Sequence, residues 1–143
     1  MKSPTLKALV ITALLGTAAM FSNGVASAAA AEATTAIPGT SAEIWKAIDT
    51  NVAELNGLIA KNTLQTVHQH AYAIRDLVRA LPTHSQGLSA AAIANVSAQV
   101  KYVDTLATRL DASGDANDKP GTAANLAKLE NILKTIRAQY GPH

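Results

Sequence analysis

The 143-residue chain has no cysteine. That excludes a disulfide framework, a thiolate metal site, a cysteine nucleophile and covalent Cys-x-x-Cys-His haem attachment. Its two methionines are Met1 and Met20, so soft sulfur ligands end with the first twenty residues. Aromatic residues are scarce, with one Trp, three Tyr and one Phe. Charge is low as well, at 15% of residues, yet 48% are hydrophobic, which excludes a disordered polyelectrolyte. There is no glycine-rich phosphate loop, and no serine stands in a nucleophile elbow or beside evident His and Asp partners. These gaps argue against an enzyme.

One uncharged, mostly apolar run is present, Ala8 to Phe21. Lys2 and Lys7 precede it, and Ala26-Ser27-Ala28 follows with the small residues a signal peptidase requires. This is the layout of a secretory signal peptide over residues 1–28, with cleavage after Ala28 or alternatively Ala30. The run is shorter than the roughly 20 residues of a membrane-spanning helix. The expected mature protein is therefore periplasmic and not inserted in the membrane. Cleavage removes two of the twelve Lys+Arg and none of the ten Asp+Glu, which leaves ten of each sign. The basic pI of about 9.0 thus belongs largely to the leader. A neutral mature chain offers no electrostatic footprint for nucleic acid.

Residues 29–40 are small and polar, with Pro38-Gly39, and read as a flexible lead-in. Residues 41–143 read as all-α, an antiparallel up-down-up-down four-helix bundle. Thr40-x-x-Glu43 is a capping box. Behind it Trp45, Ile48, Val52, Leu55 and Ile59 repeat at steps of three and four, one face of a helix. Leu64, Val67, Ala71, Ile74, Val78 and Leu81 form the second stripe, and Pro82 stops it. Ser89 caps a third helix with Ile93, Val96, Val100, Val103, Ala107 and Leu110. Ala112 to Gly121, rich in Gly, Asp, Asn and Pro, reads as a loop. Thr122 then caps a fourth helix with Leu126, Leu129, Leu133, Ile136 and Tyr140.

The loop offers oxygen ligands from Asp111 to Asp118 but lacks the glycine and the terminal acid of a calcium hand, where Ala116 and Thr122 stand; it reads as a solvated acidic turn. Trp45 reads as a core or end-cap aromatic. Arg75, Asp76 and Arg79 read as a solvated or interhelical charge set. Tyr72 and Tyr102 lie off the seams as contact points for a partner.

The local feature that stands out is Val67-His68-Gln69-His70. Residues two apart on a helix point to nearly opposite sides, so the two rings do not chelate one ion; a helical pair needs a spacing of four. His68 and His70 fall on opposite shoulders of the seam, each toward a different neighbouring helix. A turn centred near residue 85 brings His68 level with Asp104 and His70 level with Gln99; toward helix one, Asn56 and Glu54 are at that level. Two readings stand. Each histidine is a boundary residue hydrogen-bonded to a neighbour such as Asp104, or one or both of His68 and His70 recruit a carboxylate from another helix, Asp104, and bind Cu²⁺, Zn²⁺ or Ni²⁺. Both histidines lie near the end that holds Asp111 to Asp118, which adds oxygen ligands. His84 and His143 belong to the opposite end, roughly 20 Å away at 1.5 Å per residue.

In layout, with a leader, about 110 mature residues and the ending Leu133-Lys-Thr-Ile136-Arg137-Ala-Gln-Tyr140, the chain resembles the periplasmic haem-b four-helix cytochromes. It departs from them in having no methionine ligand and no histidine in the last helix before Tyr140, so haem is not carried over. Residues His68 to Pro82 are similar to small exported helical proteins associated with heavy-metal efflux. That resemblance implies metal handling, as a weak binder or an accessory to an envelope transport protein. The alternative is an interaction module of the cell envelope that needs no metal.

Overall fold

A computed structural model of the chain describes residues 34–141. The expected leader, residues 29–33 and His143 lie outside them. Four α-helices run in order: α1, Ser41–Lys61; α2, Val67–Ala80; α3, Ala90–Asp115; and α4, Lys119–Arg137. Short 3-10 turns stand at Leu64–Thr66, Leu81–His84 and Ala138–Tyr140, and no strand occurs among the described residues. None of the described helices is long and apolar enough to cross a membrane.

The stripes become the core because every third or fourth residue returns to the same side of a helix. Ile48 and Leu55 of α1, Ile74 and Val78 of α2, Val103 and Leu110 of α3, and Leu129 and Ile136 of α4 are wholly buried in one cluster. Helix α2 packs against α1 and α3, α3 against α4, and α4 against α1. Trp45 is a core residue. Its ring meets Tyr140 edge-on at 5.6 Å, and the Arg137 guanidinium lies 4.4 Å above it.

Local chemistry explains where each helix begins. The Thr40 hydroxyl oxygen accepts from the Glu43 N–H at 3.3 Å, and Ser89 accepts from the Ala92 N–H at 3.1 Å. These bonds satisfy N–H groups that lack an intrahelical partner. Asn62 closes α1 with φ at 57°, the left-handed conformation that asparagine tolerates better than most residues.

Pro82 ends α2 as expected, since the α-helix closes at Ala80 with Leu81 as its cap; the chain then makes a 3-10 turn to His84 with the proline in its first turn. The Ser85 hydroxyl then donates to the Leu81 carbonyl, and the Tyr140 hydroxyl donates to Ser85 Oγ at 2.6 Å.

The expected loop from Ala112 to Gly121 is mostly helix. α3 runs on to Asp115 and α4 starts at Lys119, so the connection is Ala116 to Asp118. Asp118, not Thr122, is the cap: its carboxylate accepts from the Gly121 N–H at 3.0 Å. Pro120 sits in the first helical turn, where a missing N–H does no harm. Gly114 is there for contact rather than for turning. A Cβ at Gly114 would stand 3.0 Å from Val67 Cβ and 3.2 Å from the Leu64 carbonyl oxygen, so α3 and the start of α2 touch backbone to side chain at this point.

Residues 34–40 carry no helix but are tied to the helical body. Thr35 Oγ1 donates to Asp76 Oδ2 at 3.4 Å, and His84 Nδ1 donates to the Gly39 carbonyl at 3.1 Å.

Candidate metal centre

Helix α2 turns His68 and His70 toward different neighbours. His70 Nδ1 lies 2.9 Å from Asn51 Oδ1 of α1. The Asn51 amide donates through Nδ2 to the Ala47 carbonyl at 2.9 Å, so Oδ1 faces His70 as acceptor and His70 Nδ1 carries the proton. The α1 partner is thus Asn51, neither Asn56 nor Glu54.

His68 faces α3. One ligand atom each from His68, Asp111 and Asp115 lies within 4.8 Å of the other two. The two aspartates are four residues apart on α3 and share a face. His68 and Asp111 are half-buried, and Asp115 is exposed. The Tyr72 hydroxyl, one turn after His68 on the same face of α2, donates to Asp111 Oδ2 at 2.7 Å. The Arg75 guanidinium lies 4.4 Å above the Tyr72 ring. Two of the three candidate ligands are therefore on one continuous helix, and the third is on a helix in tight contact with it at Gly114.

Asp104 is not part of this group. Its Oδ1 accepts from Arg79 Nε at 2.9 Å, and Arg79 also lies 3.8 Å from Asp76, which accepts from Arg75 Nε at 2.8 Å. The charge set expected from the sequence is thus interhelical, and Asp104 completes it. Moving back seven residues from Arg79 to Tyr72 moves the partner forward seven, from Asp104 to Asp111. Four more residues lead from Tyr72 to His68 and from Asp111 to Asp115.

The predicted level of His68 with Asp104 is therefore wrong by two to three helical turns. The cause is the connection between α2 and α3, which is no tight turn. It contains the 3-10 turn Leu81–His84 and then a turn closed by the Leu88 N–H on the Ser85 carbonyl. α3 starts further out than a turn centred on residue 85 allows, so a given α2 residue meets a later α3 residue.

Among the described residues, neither Asp111 nor Asp115 makes an ion pair. Two carboxylates at a spacing of four repel each other by about 0.2–0.5 kcal/mol on an exposed helix. A cation between them relieves that repulsion, and a neutral imidazole adds a nitrogen ligand. The signal for this group was present in the sequence as the spacing Asp111-x-x-x-Asp115. It was hidden by reading those residues as a solvated turn.

No protein-family model, curated protein or solved structure matches the chain.

Proposed function

We propose that this chain is a small exported helical protein that binds a divalent transition metal weakly through His68, Asp111 and Asp115, as a buffer or as an accessory to an envelope transport protein. The observation that carries the reading is the approach of those three ligand atoms to within 4.8 Å. Ligands at about 2.1 Å around a tetrahedral ion lie about 3.4 Å from one another. An ion there would draw the three side chains closer together.

The donor set is one imidazole and two carboxylates. It suits Cu²⁺, Zn²⁺ or Ni²⁺, with Cu²⁺ the tightest by the usual order of divalent affinities, and it gives no preference to Cu⁺. Three protein ligands leave a position open for water, or for a ligand from the protein that receives the ion. Half-exposed ligands and the Tyr72 bond to Asp111 keep the affinity modest. Protons compete for the imidazole, so affinity falls on acidification.

The reading takes the four helices as an antiparallel up-down-up-down bundle. Supporting it are pairs that run in opposite order along neighbours: Asp49 with Arg137 and Asn56 with Glu130 between α1 and α4, and the α2–α3 pairs above. Export rests on the leader-like residues 1–28, and the mass of the protein in a periplasmic extract checks it.

The experiment is calorimetry of the mature protein with Cu²⁺, Zn²⁺ and Ni²⁺, beside His68→Ala, Asp111→Asn and Asp104→Asn. The proposal expects binding that the first two variants weaken at least tenfold and that Asp104→Asn leaves intact. Absent binding, or binding indifferent to His68→Ala, refutes it and favours the second reading, a metal-independent interaction module. The exposed Tyr102 side chain on α3 supports that alternative.

A further inference from the structure

Between α3 and α4 lies an open groove of about 530 Å³ that shares no residue with the His68 group. Leu106 and Ile132 give it an apolar lining, and Tyr102 stands at its wall. Tyr102 is 48% exposed and, with Ile37 of the lead-in, is one of two large hydrophobic residues left exposed among those described. Lys101 Nζ covers one side of the Tyr102 ring at 5.1 Å.

Two cations, Arg109 and Lys128, also line the groove. Neither makes an ion pair among the described residues. This sets them apart from Arg75, Arg79 and Arg137, each of which holds an aspartate.

The groove is polarised along its length. Asn125 Nδ2 donates to the Arg109 carbonyl at 3.2 Å, which places Asn125 of α4 beside Arg109 of α3. Ile132 is seven residues further on in α4, and Tyr102 is seven residues back in α3. Along the helices Arg109 therefore stands toward one end of the groove, and Tyr102 with Ile132 stands toward the other, where the Lys101 ammonium lies outside the lining beside the Tyr102 ring. Arg109 and Tyr102 are about 10 Å apart along the helix, which is the length of a two-ring aromatic carboxylate.

We propose that this groove binds an aromatic carboxylate, with its anionic group at Arg109 and Lys128 and its rings against Tyr102, Leu106 and Ile132. The charge complement requires an anion, and a guanidinium fork pairs well with a carboxylate. Thr105 and Asn131 add polar groups to the lining, the rest of which is apolar, and the exposed Tyr102 ring offers an edge-on or offset partner for another ring. A long alkyl chain would overrun the groove. Both cations are solvent-exposed, so binding weakens as salt rises.

The test titrates the folded mature protein with 2-naphthoate, followed by amide chemical shifts and calorimetry. The neutral 2-naphthylmethanol and the aliphatic decanoate serve as comparisons. Saturable binding of 2-naphthoate is expected, with shifts centred on Tyr102, Arg109, Lys128 and Ile132. The alcohol should bind at least tenfold more weakly, and so should 2-naphthoate to the double variant Arg109→Gln/Lys128→Gln. Three results overturn the proposal: equal binding of the alcohol, tighter binding of decanoate than of 2-naphthoate, or no saturation of the wild-type protein at about 10 mM, an affinity of a few kcal/mol. The ligand comparison uses the unaltered protein, so it holds even if the double variant loses stability.

Discussion

Replacing Gly114 with alanine tests the contact that brings α2 and α3 together beside the candidate metal centre. Two effects oppose each other. Alanine in a helix is favoured over glycine by about 0.8–1 kcal/mol. Against that, the new Cβ meets Val67 Cβ at 3.0 Å and the Leu64 carbonyl oxygen at 3.2 Å; the first is the root of a wholly buried side chain and the second is backbone, so neither is a flexible side-chain tip. Overpacking of this kind costs about 1–3 kcal/mol. The net expectation is a loss of about 1 kcal/mol, or a fall in Tm of about 4–8 °C for a domain of this size.

Gly57 provides the control, because it lies within α1 and a Cβ there meets nothing within 4 Å. Gly57→Ala should therefore stabilise by about 0.5–1 kcal/mol. Urea unfolding of the three proteins gives the answer, as opposite shifts in midpoint with unchanged slope. If Gly114→Ala stabilises as much as Gly57→Ala, the close approach of α3 to the start of α2 is refuted. The site beside it loses its frame as well.

Other consequences follow from single contacts. Tyr72→Phe removes the hydroxyl bond to the Asp111 carboxylate and should destabilise by about 1–2 kcal/mol in chemical denaturation, since the acceptor is charged and half-buried. Arg79→Gln should change stability by less than about 1 kcal/mol and leave metal affinity unaltered, because its pair with Asp104 is largely exposed and stands apart from His68. Burial raises the Tyr140 phenol above its ordinary value near 10. The folded chain therefore keeps a proton that the unfolded chain releases. The stability from this group is intact below pH 10 and falls as pH rises from there toward the folded value. Tyr140→Phe should flatten the decline in urea midpoint between pH 9.5 and 11, and an unchanged slope contradicts the assignment.

The helices were legible because apolar periodicity is a strong local signal. All six residues of the second stripe, Leu64 to Leu81, are buried. The Thr40–Glu43 and Ser89 starts were equally plain, since a capping hydroxyl acts over three residues. The end of α3 was not legible. Gly114, Asp115 and Asn117 have the composition of a turn, but Gly114 is selected by a contact with Val67 that is distant in sequence. Register failed for a related reason: it depends on the length of the path through Pro82 and Ser85, which a helical pattern does not encode. His68 and His70 could be assigned to separate sides from their spacing alone. Their partners could not, because the partner depends on register; Asp104 went to Arg79, and His68 went to Asp111 and Asp115.

The most direct measurement of the metal proposal is a ¹⁵N spectrum of the histidine rings of the mature protein during titration with Zn²⁺. A His68 ring nitrogen should take on the shift of a metal-bound imidazole while His70, held by Asn51, and His84, held by Gly39, stay in place. Movement of the His70 ring in step with His68, or spectra that remain unchanged at saturating Zn²⁺, contradicts the proposal.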